Sequence, residues 1–143
     1  MNLSRALFVV SLIWLIVAAG CGGGSSFDPN NETVAISPSP VTIPASGEVT
    51  LQATVTGSPA APAMNWFIAE LQTNGTSGAQ CNWQGGTPPA QSCPDGTIQG
   101  ADASSLTVKY FAPSTSGTFH VVAQSTVSST LVKDGTAVIT VSP

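Results

Sequence analysis

Charge is what this sequence has least of. Only 7% of its 143 residues are Asp, Glu, Lys or Arg, whereas an ordinary domain uses about 25%. Seven acidic residues outnumber three basic ones, for a net charge of -4. The chain therefore has no basic patch that could bind a phosphate backbone or anionic headgroups, and we expect no nucleic-acid partner. The length allows one compact domain, not two.

Residues for catalysis or metal binding are also scarce. His120 is the only histidine, and no Gly-x-Ser-x-Gly turn accompanies it, so we interpret it as an exposed strand residue. The sequence does not pair its carboxylates as a glycosidase requires. It also has no Cys-x-x-Cys pair and no Asp-x-Asp-x-Asp run, and Asp95 and Asp102 come closest to a calcium pair. We expect no enzyme activity, no metal and no other cofactor.

One long apolar run stands at the N-terminus. Residues 6–19 are apolar except for Ser11, and Arg5 precedes them. A run of about 14 residues is shorter than the roughly 20 that cross a bilayer as a helix, and no basic cluster follows it. Residues 1–20 are therefore predicted to be a secretory signal peptide.

The end of this segment, Ala18-Ala19-Gly20-Cys21, resembles the bacterial lipobox. The resemblance implies that Cys21 is acylated, with chains such as palmitate, and becomes the first residue of a lipoprotein anchored in the cell envelope. Gly22 rather than Asp after the cysteine favours the outer membrane, with the domain in the periplasm or at the cell surface. Ala18 stands where the lipobox usually has Leu, so ordinary signal peptidase cleavage, with Cys21 as a free thiol, stays open.

A flexible tether is predicted after the cysteine. Residues 21–32 begin with three glycines and two serines after Cys21, a composition that behaves as flexible coil. Such a tether lets a domain over residues 33–143 stand clear of the membrane. Without Arg5 the chain keeps two lysines against seven acids, a net charge of -5.

The other two cysteines are Cys81 and Cys93. Because an exported chain meets an oxidising compartment, we predict that they form a disulfide. Closing a loop of about 13 residues contributes roughly 3 kcal/mol in the chain-entropy model.

From Thr33 onward apolar residues recur at every second position, between Gly and Pro breaks, as in half-buried strands. Trp66 is predicted to face the core, whereas His120, Val122 and Gln124 face outward. Residues 69–95 show no alternation and are predicted to be a long connection. The predicted strands are 33–37, 41–43 (both at sheet edges), 48–56, 63–69, 96–98, one with Leu106, Val108 and Tyr110 inward, one with Phe119, Val121 and Ala123 inward, and 135–141. This pattern predicts an all-β, two-sheet sandwich of about seven strands, with a barrel as the lesser alternative.

The order of short motifs also resembles the bacterial immunoglobulin-like domains. These motifs are Trp66 in a third strand, Gly96-Thr97-Ile98 after Cys93, Tyr110-Phe111-Ala112-Pro113, Phe119-x-Val121-x-Ala123, and Thr136 to Val141 after Asp134. The resemblance implies an Ig-like sandwich over residues 33–143, of a kind found in surface and secreted proteins. Ala53 and Ala123 stand where antibody domains have their inter-sheet disulfide.

Trp83 is the one candidate ligand contact. It lies two residues after Cys81 in a stretch rich in Gly and Pro. It either stacks on a sugar ring or fills a pocket on a protein partner, or it covers the disulfide and closes the end of the sandwich. We therefore predict a non-enzymatic, monomeric, lipid-anchored envelope protein whose Ig-like domain is a structural, protein-interaction or adhesion module. Its partner would be an envelope protein or a surface glycan. The alternative is a carbohydrate-binding module that uses residues 69–95 and Trp83.

Overall fold

A computed structural model describes residues 31–57, 62–70, 81–83, 93–126 and 131–143. The predicted signal peptide, Cys21 and most of the tether lie outside these residues. The described residues form nine strands in two sheets. The strands are β1 (Thr33–Ser37), β2 (Val41–Pro44), β3 (Glu48–Thr56), β4 (Ala63–Ile68), β5 (Asn82–Trp83), β6 (Thr97–Gln99), β7 (Thr107–Phe111), β8 (Gly117–Thr126) and β9 (Val132–Ser142).

The two sheets have the strand order of an immunoglobulin-like sandwich. One sheet has the order β1-β3-β7-β6-β5 and the other β2-β9-β8-β4. In the immunoglobulin scheme, β1, β3, β7 and β6 correspond to strands A, B, E and D, and β4, β8 and β9 to C, F and G. All pairings are antiparallel except β2 with β9 and β5 with β6. The all-β, Ig-like fold predicted from the sequence is confirmed.

The first two strands lie at the edges of different sheets, as their prolines predict. Among the strands that the structure describes, β1 pairs only with β3, and β2 only with β9. Pro38 and Pro40 lie between them. Because proline has no N–H to give to a ladder, it suits a point where the chain leaves one sheet and joins the edge of the other.

The core lies between the sheets and follows the alternation of the sequence. Trp66 is 1% exposed, and its indole Nε1 donates a hydrogen bond to the Ser105 carbonyl oxygen at 2.7 Å. The prediction that Trp66 fills the space between the sheets is therefore confirmed. The other core residues include Leu51, Ala53, Ile68, Ile98, Val108, Tyr110, Val121, Ala123, Ala137 and Ile139.

One predicted orientation is wrong, and one side chain predicted to face outward is more buried than expected. Leu106 is 39% exposed, because β7 begins one residue later and Leu106 instead offers its carbonyl oxygen to the Ala53 amide at 2.7 Å. Val122 has the outward phase of β8 but is only 7% exposed. The register places it between Phe67 of β4 and Thr136 of β9.

Residues 69–95 do contain a strand, contrary to prediction. β5 is two residues long and pairs in parallel with β6, with Trp83 opposite Gln99. Two residues are too few to show alternation, so the sequence has no periodic signal for this strand. Within this segment the structure describes residues 69–70, 81–83 and 93–95.

The strand register defines two ends of the sandwich. At the tether end β1 begins, with Thr33 opposite Thr56, and β9 begins, with Val132 opposite Thr126. At the disulfide end β6 begins and β7 finishes, with Thr97 opposite Phe111, close to Cys81 and Cys93. The 11 residues of β9 span about 35 Å at roughly 3.3 Å per residue, which separates the two ends.

Candidate functional site

The disulfide end contains the candidate site. Cys81 and Cys93 are joined by a disulfide with a Cα–Cα distance of 5.9 Å, the pairing predicted from the sequence. Cys81 is 1% exposed and Cys93 is half-buried against the core. Because Cys81 directly precedes β5 and Cys93 shortly precedes β6, the bridge holds the edge strand to its neighbour.

Trp83 belongs to this end through its backbone. It is the last residue of β5, at the edge of the five-stranded sheet. The sequence predicted that Trp83 lies in an irregular connection and not in a strand. That part of the prediction is wrong. Its role as a ligand contact stays a prediction, because its side chain is not among those that the structure describes.

Tyr110 and Asp95 meet at the disulfide end of the sandwich. Tyr110 is fully buried, and its hydroxyl donates to the Asp95 carbonyl oxygen at 2.8 Å. Gly96 adopts a φ of +94°, and a Cβ there would lie 2.7 Å from the Tyr110 hydroxyl and 2.5 Å from the Phe111 carbonyl oxygen. The glycine thus permits both a left-handed backbone and the close approach of β6 to β7.

Burial, together with neighbouring carboxylates, raises the pKa of two groups in this region. Burial, and then the charge of Glu70, raises the pKa of Asp95 above its usual range. The buried Oδ2 of Asp95 has no hydrogen-bond partner among the described residues. Burial, followed by the charges of Glu70 and Asp95, also raises the pKa of Tyr110.

Glu70 and His120 form a titratable pair that the sequence did not predict. The Glu70 Oε1 lies 2.6 Å from Nδ1 of His120, and its Oε2 accepts the His120 amide at 3.1 Å. The His120 side chain is 42% exposed. It is thus partly exposed, as predicted, but also paired, and 50 positions of sequence separate the partners. Across the described residues, no Ser, Thr or Cys side chain makes a hydrogen bond to this ring.

Metal ligands do not gather in the described residues, where no group of three or more His, Cys, Asp and Glu side chains could hold an ion. Asp95 and Asp102, the two residues that come closest to a calcium pair in the sequence, precede and follow β6 along the chain. Asp102 instead accepts hydrogen bonds from the Ser104 amide and hydroxyl, both at 2.8 Å. These bonds lower the pKa of Asp102.

The helices within the described part of the chain include none that is both long and apolar enough to span a bilayer.

Comparisons with known proteins concern the fold. No protein-family profile matches the chain, and no curated protein matches it in sequence. A nucleoside hydrolase-related hypothetical protein from Saccharophagus degradans, associated with carbohydrate metabolism, aligns over 77% of the chain with 9% identity and a TM-score of 0.46. A marsupial T cell receptor aligns over 78% with 13% identity and a TM-score of 0.42. The chain spans 25% of the length of the first and 52% of the second.

Proposed function

We propose that this protein is a lipid-anchored component of a bacterial envelope whose single Ig-like domain acts as a structural or protein-interaction module. The supporting observation is that the two ends of the domain differ. The chain enters at the tether end, with Glu32 and Thr33, whereas the disulfide bridge and the Glu70–His120 pair lie at the other. An anchor at Cys21 would therefore direct the disulfide end away from the lipid surface.

The length of the tether limits the distance between the domain and the membrane surface. Glu32 is 2% exposed and bound to Ser125, so at most the chain from Cys21 to Asn31 is available as a spacer. Ten links reach no more than about 35 Å when fully extended. A Gly/Ser-rich coil of that length has a root-mean-square span of roughly 17 Å. The tether end would thus remain close to the membrane.

Membrane fractionation tests the anchor. We expect Cys21→Ser, or treatment with globomycin, to move the protein out of the membrane fraction. A Ser26→Ala variant, changed within the same tether, serves as the matched control and should remain membrane-bound. Retention of the Cys21→Ser protein in membranes would contradict the proposal.

Site-specific photocrosslinking in cells tests which end meets a partner. Ser116, between β7 and β8 at the disulfide end, and Ser104, between β6 and β7 at the tether end, are both exposed. A photoreactive residue at position 116 should capture an envelope protein, and the same residue at position 104 should not. Capture at position 104 alone would reverse the proposed orientation.

A second candidate function is carbohydrate binding through residues 69–95 and Trp83. It is favoured by the position of Trp83 on β5, which the disulfide braces against β6. An indole carried on a fixed backbone offers a flat apolar surface at low entropic cost. A glycan array probed with wild type and Trp83→Ala tests this candidate, and equal signals from the two proteins would reject it.

A further inference from the structure

The outer face of the four-stranded sheet carries two cross-strand rows of contrasting chemistry. The first, which we call the amide row, is Asn65 on β4, Gln124 on β8 and Asp134 on β9, which lie opposite one another in the register. Asn65 and Asp134 are exposed and Gln124 is half-buried. Gln124 Nε2 donates to Asp134 Oδ1 at 3.0 Å, which leaves the Gln124 carbonyl oxygen as an acceptor.

The adjacent row has two apolar side chains and one hydroxyl. This row, which we call the aromatic row, comprises Phe67 on β4, Val122 on β8 and the exposed Thr136 on β9. Val122 is 7% exposed but does not belong to the core between the sheets, so it supports the outer face. Phe67 is half-buried beside it. Two residues along a strand separate the rows by about 7 Å, and neighbouring strands lie about 4.8 Å apart.

A second outward-facing phenylalanine shows what distinguishes Phe67. Phe111 lies on the outer face of the five-stranded sheet, and the Lys109 ammonium sits 5.8 Å from the centroid of its ring. Lys109 also forms an ion pair with Glu48 at 3.1 Å. Within the described ranges, Phe67 has no such cation over its ring.

We propose that the amide row and Phe67 form a binding site for a neutral glycan. The apolar face of a pyranose ring would stack on Phe67, and its hydroxyl groups would bond to the Asn65 amide, the Gln124 carbonyl oxygen and the Asp134 carboxylate. A flat aromatic ring beside a few convergent polar groups suits a small polar ligand with an apolar face. Both rows lack a cationic side chain, so an acidic sugar would meet Asp134 without compensation.

The two rows have the dimensions of a small glycan, because three strands and two rows extend on the order of 10 Å in each direction. A stable protein interface buries about 800 Å² on each partner and would have to extend well beyond these six residues. The proposed site shares no residue with the Trp83 segment, and it does not depend on the lipid anchor.

Affinity electrophoresis of the full-length protein in detergent tests the proposal. Native gels would contain hydroxyethyl cellulose, glycol chitin or dextran as neutral probes, and alginate as the acidic probe. We expect at least one neutral polysaccharide to retard the wild type, with Phe67→Ala and Asn65→Ala each weakening that binding about ten-fold. Phe67→Tyr should retain it. Phe111→Ala, the matched control on the opposite sheet, should bind like wild type.

Two results would overturn the proposal. The first is a wild type that no neutral polysaccharide retards, including one that alginate alone retards. The second is a Phe67→Ala protein that binds like wild type, and a loss of binding in Trp83→Ala alongside it would assign the binding to the Trp83 segment instead. If Phe67→Ala fails to fold, Asn65→Ala decides, because Asn65 is exposed and its truncation removes an amide without disturbing the core.

Discussion

The Ser125 hydroxyl donates a hydrogen bond to the Glu32 carboxylate across 93 positions of sequence. Ser125 is fully buried on β8 and Glu32 is 2% exposed just before β1, so the bond connects the two sheets at the tether end. The boundary predicted from the sequence, which assigns Glu32 to the flexible tether, is therefore wrong by one residue. The polarity of the residue suggested a linker, but a partner distant in sequence brings it into the fold.

We expect Ser125→Ala to lower the free energy of unfolding by about 1–3 kcal/mol. The substitution leaves a buried carboxylate without its donor, and the Glu32 Oε2 already lacks a hydrogen-bond partner among the described residues. Urea denaturation of the purified protein measures the change. Ser114→Ala, in an exposed turn, is the control and should change it by less than about 0.5 kcal/mol. Equal stability of the two variants would show that the bond contributes little.

Tyr110 should not ionise in the folded protein near its ordinary pKa of 10.0, because burial and the nearby carboxylates raise that pKa. The unfolded chain loses the phenolic proton first, so the contribution of Tyr110 to stability is complete below about pH 10 and falls as the pH rises above it. An ultraviolet titration reports this directly, since Tyr110 is the only tyrosine. A reversible phenolate signal at pH 10 in folded protein would contradict the burial of this side chain.

Tyr110→Phe should also cost about 0.5–1.5 kcal/mol at neutral pH, because it removes the hydrogen bond to the Asp95 carbonyl oxygen. Thermal denaturation at neutral pH measures the loss. Above about pH 10 the difference between the variant and the wild type should shrink, because Phe cannot ionise. A difference that stays constant across this range would show that the phenol does not contribute to the pH dependence.

Removing the disulfide should cost about 3 kcal/mol, the chain-entropy value for a loop of this length. Cys81→Ser with Cys93→Ser should lower the urea midpoint by the amount that a reductant lowers it for the wild type. The double variant should not respond to reductant, which makes it its own control. A urea midpoint unchanged by the substitution would mean that the bridge does not contribute to the stability of the sandwich.

Gly135→Ala should destabilise the domain by about 1–3 kcal/mol. A Cβ at this position would lie 2.7 Å from the Val34 carbonyl oxygen, a backbone atom of β1 that cannot move aside easily. Gly117→Ala is the matched control, because its Cβ would meet only the Phe119 ring, at 3.2 Å. In chemical denaturation, the free energy of unfolding of Gly135→Ala should be well below that of Gly117→Ala. The reverse order would contradict the close contact between β1 and β9.

Sequence alternation predicted the strands well where one face is core and the other is solvent. The predicted bounds of β1 and β3 match the structure, and those of β4 and β6 differ by one residue. Alternation is a property of neighbouring residues, so it carries this information without any knowledge of the partner strand. The disulfide prediction followed from counting cysteines in a chain that is predicted to be exported.

The parts that the sequence could not predict depend on distant partners. Glu70 reaches His120 across 50 positions, and β5 exists through its pairing with β6. The burial of Val122 arises from its position between strands β4 and β9, which no local pattern encodes. The amide row is likewise a consequence of register, since its three residues lie on three different strands.

The most direct test of the central claim is the intact mass of the mature protein purified from membranes. We expect a chain that begins at Cys21 and carries a diacylglyceryl group on its sulfur and an acyl chain on its amino group, with two hydrogens fewer for the Cys81–Cys93 bridge. A mature chain with an unmodified thiol at Cys21, or one cleaved at another residue, would contradict the account of a lipid-anchored domain.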